Sequence, residues 1–149
     1  MVVMHALLIL LEKAIAYGCI GILIEVFFTG VASLIQKDWD GTAKTYLWMF
    51  PIYGVTALFL EGISNGLDWP FYLKAFVLVP VIYGTEALSG WTIKKITGRI
   101  PWHYPESAWS PAGLINLKYA PFWLLLAMAF DPITAFLTKM LHALSIVTS

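Results

Sequence analysis

The sequence is short of nearly everything a soluble enzyme or a secreted module uses. It has one cysteine, Cys19, so no internal disulfide can form. Charged residues make up 12% of the chain, against about a quarter in soluble domains. Nine Lys and Arg balance nine Asp and Glu. Net charge therefore suggests neither nucleic acid nor an acidic partner. The three histidines, His5, His103 and His142, are scattered and lack the helical spacing of a zinc pair. There is no glycine-rich phosphate loop, which argues against ATP hydrolysis by the chain itself. These absences remove disulfide scaffolds, nucleic-acid binders and the common nucleotide-dependent enzymes.

What is present is apolar. Hydrophobic residues are 60% of the 149, and the mean hydropathy is +0.78. Four stretches, 14–36, 46–64, 71–96 and 119–141, approach or exceed the roughly 20 apolar residues that cross a bilayer. The expected fold is all-α: one polytopic membrane domain over 1–149, a compact bundle of four transmembrane helices. Val2 to Leu11 is nearly all apolar, but no basic segment opens it and Glu12-Lys13 follows it, unlike a cleaved signal peptide. It reads as an interfacial or helical lead-in to the first span.

Four carboxylates, Glu25, Glu61, Glu86 and Asp131, fall one in each span. An acid in hydrocarbon costs roughly 2.5–3.5 kcal/mol on insertion scales, so one per span points to a polar centre around which the helices are built. Such a cluster can share protons, relay them, or bind a cation. An all-oxygen site would suit a hard cation better than zinc or haem iron. No cofactor is expected beyond such an ion. Alternatively, the acids pair with Tyr17, Tyr53, Tyr83, Trp91 or Asn116 and only fix helix register. Asp131 has a further reading as part of an Asp-Pro kink with Pro132.

Glycines accompany the acids. Tyr17-Gly18 precedes Glu25 at the spacing at which Tyr53-Gly54 precedes Glu61, about two helical turns. A tighter version, Tyr83-Gly84-Thr85-Glu86, lies in the third span. Small residues on the acid-bearing face let a neighbouring helix come close.

The connections differ. Lys37 to Thr45 is a short polar loop, and Asn65 to Pro70 is a tight turn that makes spans two and three a helical hairpin. Gly98 to Lys118 carries Pro101, Pro105 and Pro111, which argue against a continuous helix, together with Trp102, Tyr104 and Trp109. Rings of that kind favour the headgroup region, so this segment is expected to fold at the interface between helices three and four. It is either a lid over the bundle or a plain anchored loop, and His103 within it reads as a headgroup contact. Lys37, Lys44, Lys94, Lys95, Arg99 and Lys118 lie on one side, against Lys13, Lys74 and Lys139 on the other. The positive-inside bias then places both termini outside the cytoplasm.

Several of these pieces resemble a known family. Gly21 to Thr29 with Glu25, Phe50-Pro51-Ile52-Tyr53-Gly54 with Glu61, Glu86 with Gly90, Pro101 to Tyr104, and Gly113 to Pro121 with Trp123 occur in that order. Together they resemble the transmembrane protein 229 family and the bacterial ABC transporter permease sequences of the CmpB type. The resemblance implies a compact four-helix membrane protein. It carries the family's membrane glutamates onto Glu25, Glu61 and Glu86, and its tryptophan-acid-tyrosine motif onto Trp102, His103 and Tyr104. An aspartate is usual where this chain has His103. The permease label is an inherited name and implies no substrate or cofactor.

Three functions follow as expectations. The first is a transport component that binds or relays a cation or proton, working as a homo-oligomer or with partner chains because four helices make a thin wall for a pore. The second is a non-catalytic subunit of a larger membrane complex. The third is a membrane-embedded enzyme acting on a lipid, with paired carboxylates as acid and base.

Overall fold

The computed structural model describes residues 2–105 and 107–148. Among the described residues the regular structure is helical: α1 (Val2–Ile35), α2 (Met49–Gly66), α3 (Phe71–Thr97), α4 (Ala120–Met128) and α5 (Phe130–Thr148). Two short 3-10 turns, Pro111–Gly113 and Leu117–Tyr119, lie between α3 and α4. The chain divides into two compact units, Met1–Leu58 and Phe59–Ser149, with α2 running across the division.

Among the described residues two helices are long and apolar enough to cross a membrane, Val3–Ile35 and Phe71–Thr97. A third crossing exists if the bent pair Leu117–Met128 and Phe130–Leu144 is one span. Side chains such as Phe27, Phe59, Phe76 and Leu125 are mostly exposed, as suits an integral membrane protein. The expected second span corresponds to α2, which at 18 residues is about 27 Å long and is not among the helices that qualify. Glu61 and the polar end Ser64-Asn65-Gly66 lower its apolarity.

In the first unit the expected lead-in is continuous with the first span. Nothing in Val2 to Ala14 breaks a helix, so α1 runs 34 residues, about 51 Å. The glycine spacing is expressed in packing between α1 and the first half of α2. A methyl added at Gly54 would strike the carbonyl oxygen of Ala14, one at Gly18 would come within 2.8 Å of the Phe50 carbonyl, and one at Gly21 would enter the Tyr53 ring. Beyond α1, Lys37 takes a left-handed conformation and Asp38 turns back to accept the Ser33 hydroxyl at 2.6 Å. The hydroxyls of Ser33 and then Thr42 hold the Asp38 carboxyl below the usual carboxylate range.

In the second unit α3 and α4 pack along one another. Gly98, left-handed at φ 75°, ends α3 by returning its N–H to Lys94. The third tyrosine-glycine pair behaves differently from the first two: Gly84 faces open space, and the close approach in α3 falls at Gly90. The break between α4 and α5 has a local cause. Pro132 has no N–H to return to the Met128 carbonyl, and the two axes bend by 46° at Ala129.

Candidate functional site

The segment between α3 and α4 is a folded plug on α3. Trp102 is only 6% exposed and donates its indole N–H to the Leu114 carbonyl at 3.0 Å. Both residues press on Gly90, where an added methyl would lie 2.9 Å from Leu114 and 3.1 Å from Trp102. Gly90 is about 10 Å back from the end of α3, so the segment folds inward along the helix. Several of its backbone groups are paired within the segment itself. The Tyr104 N–H bonds the Gly113 carbonyl at 3.1 Å, and the Leu117 N–H bonds the Trp109 carbonyl at 2.8 Å. The Ser110 hydroxyl bonds the Ile115 carbonyl at 2.8 Å.

Tyr104 carries this fold to the acid. Its phenol donates to Glu86 Oε1 at 3.0 Å, and Glu86 is 8% exposed. Glu86 lies about 16 Å from the end of α3, close to its middle. The Tyr104 ring stacks obliquely on Tyr119 at 5.9 Å. Tyr83, one turn before Glu86 on the same face, sends its own phenol to the Asn116 carbonyl at 3.2 Å. The Asn116 side chain caps the next turn by accepting the Lys118 N–H.

The expected interfacial trio therefore divides. Trp102 and Tyr104 face inward onto α3, while His103 is exposed along its edge and its ring packs over Gly113. Gly113 must be glycine twice over: its φ is 67°, and an added methyl would meet the His103 ring at 2.8 Å. Trp109 keeps an exposed ring of the kind expected at the headgroups.

A related arrangement occurs in the first unit. Glu25, about 15 Å from the end of α1, accepts the Thr45 hydroxyl at 2.5 Å and a hydrogen bond from Tyr53. Thr29, one turn on, fixes the same loop by accepting the Lys44 N–H at 3.0 Å. In both units an acid deep in a long helix receives a hydroxyl from the segment that follows that helix. The separations are 20 residues for Glu25 and 18 for Glu86. Tyr17 is buried in this unit.

Asp131 has a different environment. Its carboxylate accepts the Ser64 hydroxyl at 2.5 Å and forms an ion pair with Lys74 at 2.9 Å. Glu61, one turn before Ser64 on α2, is half-buried and is not electrostatically isolated. Among the described residues no three His, Cys, Asp or Glu side chains are placed to hold a metal ion together. Each acid instead has partners of its own.

Thr45, Ser64 and Lys74 were not read from the sequence as partners of the acids. Lys74 left a signal, because a lysine in the first turn of an apolar helix needs a counter-charge. Gly62-Ile63-Ser64-Asn65-Gly66 also spells a nucleophile elbow, but that motif needs a strand-to-helix turn. Here Ser64 lies within α2 with its hydroxyl committed to Asp131.

The fold is thus an all-helical membrane protein with internally plugged polar segments. The family model described as "Putative ABC-transporter type IV" (CmpB) matches residues 14–148, and the chain belongs to that family. No solved structure matches the chain.

Proposed function

We propose that the chain is a membrane subunit of a transport assembly, with the plug of residues 98–118 as its movable part and Glu86 as the group that holds it. The observation that carries this is the Tyr104–Glu86 hydrogen bond at 3.0 Å, near the middle of a helix long enough to cross the bilayer. A proton or cation reaching Glu86 would neutralise the carboxylate, weaken its charge-assisted bond to the phenol and so loosen the plug. Even the four crossings of this reading make too thin a wall for a path, so it requires further copies or a larger partner. If ATP drives the assembly, another chain supplies its hydrolysis, since this one has no phosphate-binding loop. The family name supports the transport reading.

The reading keeps α2 as a second crossing and the region around α4 as a fourth. It also keeps Lys94, Lys95 and Arg99 on the cytoplasmic side, with the termini opposite. Kinship with the transmembrane protein 229 family belongs to the same proposal and rests on the sequence motifs.

The test is proton and cation flux in vesicles containing the chain with whatever partners co-purify. Glu86→Gln is expected to lower flux about tenfold or more while folded protein is retained. Unchanged flux in that variant would overturn the reading. A second reading, a structural subunit, is favoured by the local partners of Glu25 and Asp131. Under it, all the acid variants lose folded protein alike and none changes flux selectively.

A further inference from the structure

The position of Asp131 bears on what α5 does. α4 runs antiparallel to α3, because Asn116 meets Tyr83 and Asp131 meets Lys74. Lys74 lies in the first turn of α3, about 5 Å from its start at Phe71. α3 is 27 residues long, about 40 Å, and the hydrocarbon core takes about 30 Å of that. The Asp131–Lys74 pair therefore falls at the edge of the core beside the turn 67–70. Lys94 and Lys95 mark the opposite edge.

By Phe130 the chain has thus already reached the edge, and the 19 residues of α5, about 28 Å, still follow. Continued straight, they would enter water. The break turns the axis by 46°. A tilt of the crossing segment in the same sense, roughly 20° on average, would bring α5 to within about 25° of the membrane plane.

The faces of α5 fit that placement. Phe130, Ile133, Phe136, Leu137, Met140, Leu141 and Leu144 follow the i, i+3, i+4, i+7 pattern of one apolar stripe. Leu137 is 1% exposed and seats the helix on the protein. Phe136, Met140 and Leu144, at successive turns, are 68%, 42% and 55% exposed. The exposed arc away from it carries Thr138, Lys139 and His142. The helix's only acid, Asp131, is neutralised by Lys74, so its remaining formal charge is basic, as suits lipid phosphates.

We infer that α5 is an amphipathic helix lying along one bilayer surface, its Phe136–Met140–Leu144 edge seated among the acyl chains and Lys139 and His142 at the headgroups. The last membrane segment then ends at the α4–α5 break, which revises the expected span 119–141. α4 can be as short as nine residues because the plug before it occupies the remaining depth beside α3.

The test is nitroxide scanning of the full chain in phosphatidylcholine–phosphatidylglycerol vesicles. In a Cys19→Ser background, single cysteines are placed in turn from Thr134 to Leu144 and collision with oxygen is compared with a nickel chelate. The expected result is a helical oscillation at constant mean depth, with positions 136, 140 and 144 about 5–10 Å below the phosphates. Any position whose variant does not fold is replaced by its neighbour on the same face. A depth that climbs steadily through the bilayer centre would overturn the inference. So would full exposure to nickel, or exclusion of both reagents from the apolar edge, which would mean that another protein surface covers it.

Discussion

Tyr104 donates its phenol to Glu86, joining a proline-rich connection to the middle of the helix that precedes it. A carboxylate removed from water and lipid contact alike gains more from such a donor than a surface acid would.

Tyr104→Phe removes the donor and leaves the acid buried. The expected loss is about 1–3 kcal/mol, the usual cost of stripping a partner from a buried polar group. Thermal unfolding in detergent measures it, and trypsin should cut after Arg99 sooner than in the parent. Glu86→Gln keeps an acceptor for the phenol, so its stability should change less.

The Lys74–Asp131 pair should behave as a coupled unit. Lys74→Met or Asp131→Asn alone is expected to destabilise more than both together, because each single change leaves an uncompensated group. The Asp131 side chain is 36% exposed, so the coupling should be about 1 kcal/mol. A double-mutant cycle on unfolding midpoints measures it, and strict additivity would mean the pair contributes nothing.

Two glycines that each follow Ile-Tyr should give opposite results. Gly54→Ala drives a methyl into the Ala14 backbone, which cannot move aside cheaply, so the yield of folded protein should fall. Gly84→Ala meets open space and should be neutral, or stabilising by up to about 1 kcal/mol through helix propensity. Fluorescence size-exclusion profiles of the two variants provide the comparison.

Gly113→Ala combines a left-handed backbone with a clash on His103. A cost of about 1–2 kcal/mol for the conformation alone is expected. It should appear as faster amide exchange confined to residues 101–117, with α1 unchanged.

The helical class and the membrane location were legible because hydropathy is summed along the chain, whereas the separate partners of Glu25, Glu86 and Asp131 were not. The glycine contacts at Gly18 and Gly54 were legible for a similar reason, since spacing on one helix fixes a face. The failure at Gly84 marks the limit: the same dipeptide faces a neighbour in one helix and open space in another, and only tertiary packing decides which. The plug was legible as a proline-rich aromatic segment, but not as one that turns its rings inward. That depended on Gly113 and Gly90 allowing close approach, and on hydrogen bonds between residues such as Trp109 and Leu117 that no local pattern announces. Lys74 and Asp131 are 57 residues apart, and each alone looked like an interfacial or kink residue.

The order of the chain has a consequence for biogenesis. Glu25 and Glu86 are synthesised before the hydroxyls that bind them, so each helix reaches the translocon with its acid still waiting for Thr45 or Tyr104. In the proposed function, which sets both acids at bilayer depth, the long apolar flanks of α1 and α3 carry insertion through that interval, against roughly 2.5–3.5 kcal/mol per acid. Asp131 is the reverse case, since Ser64 and Lys74 precede it. A ribosome stalled after α3 but before Tyr104 should therefore hold a helix that is inserted yet still able to slip, and the nascent chain would lock from its amino-terminal end.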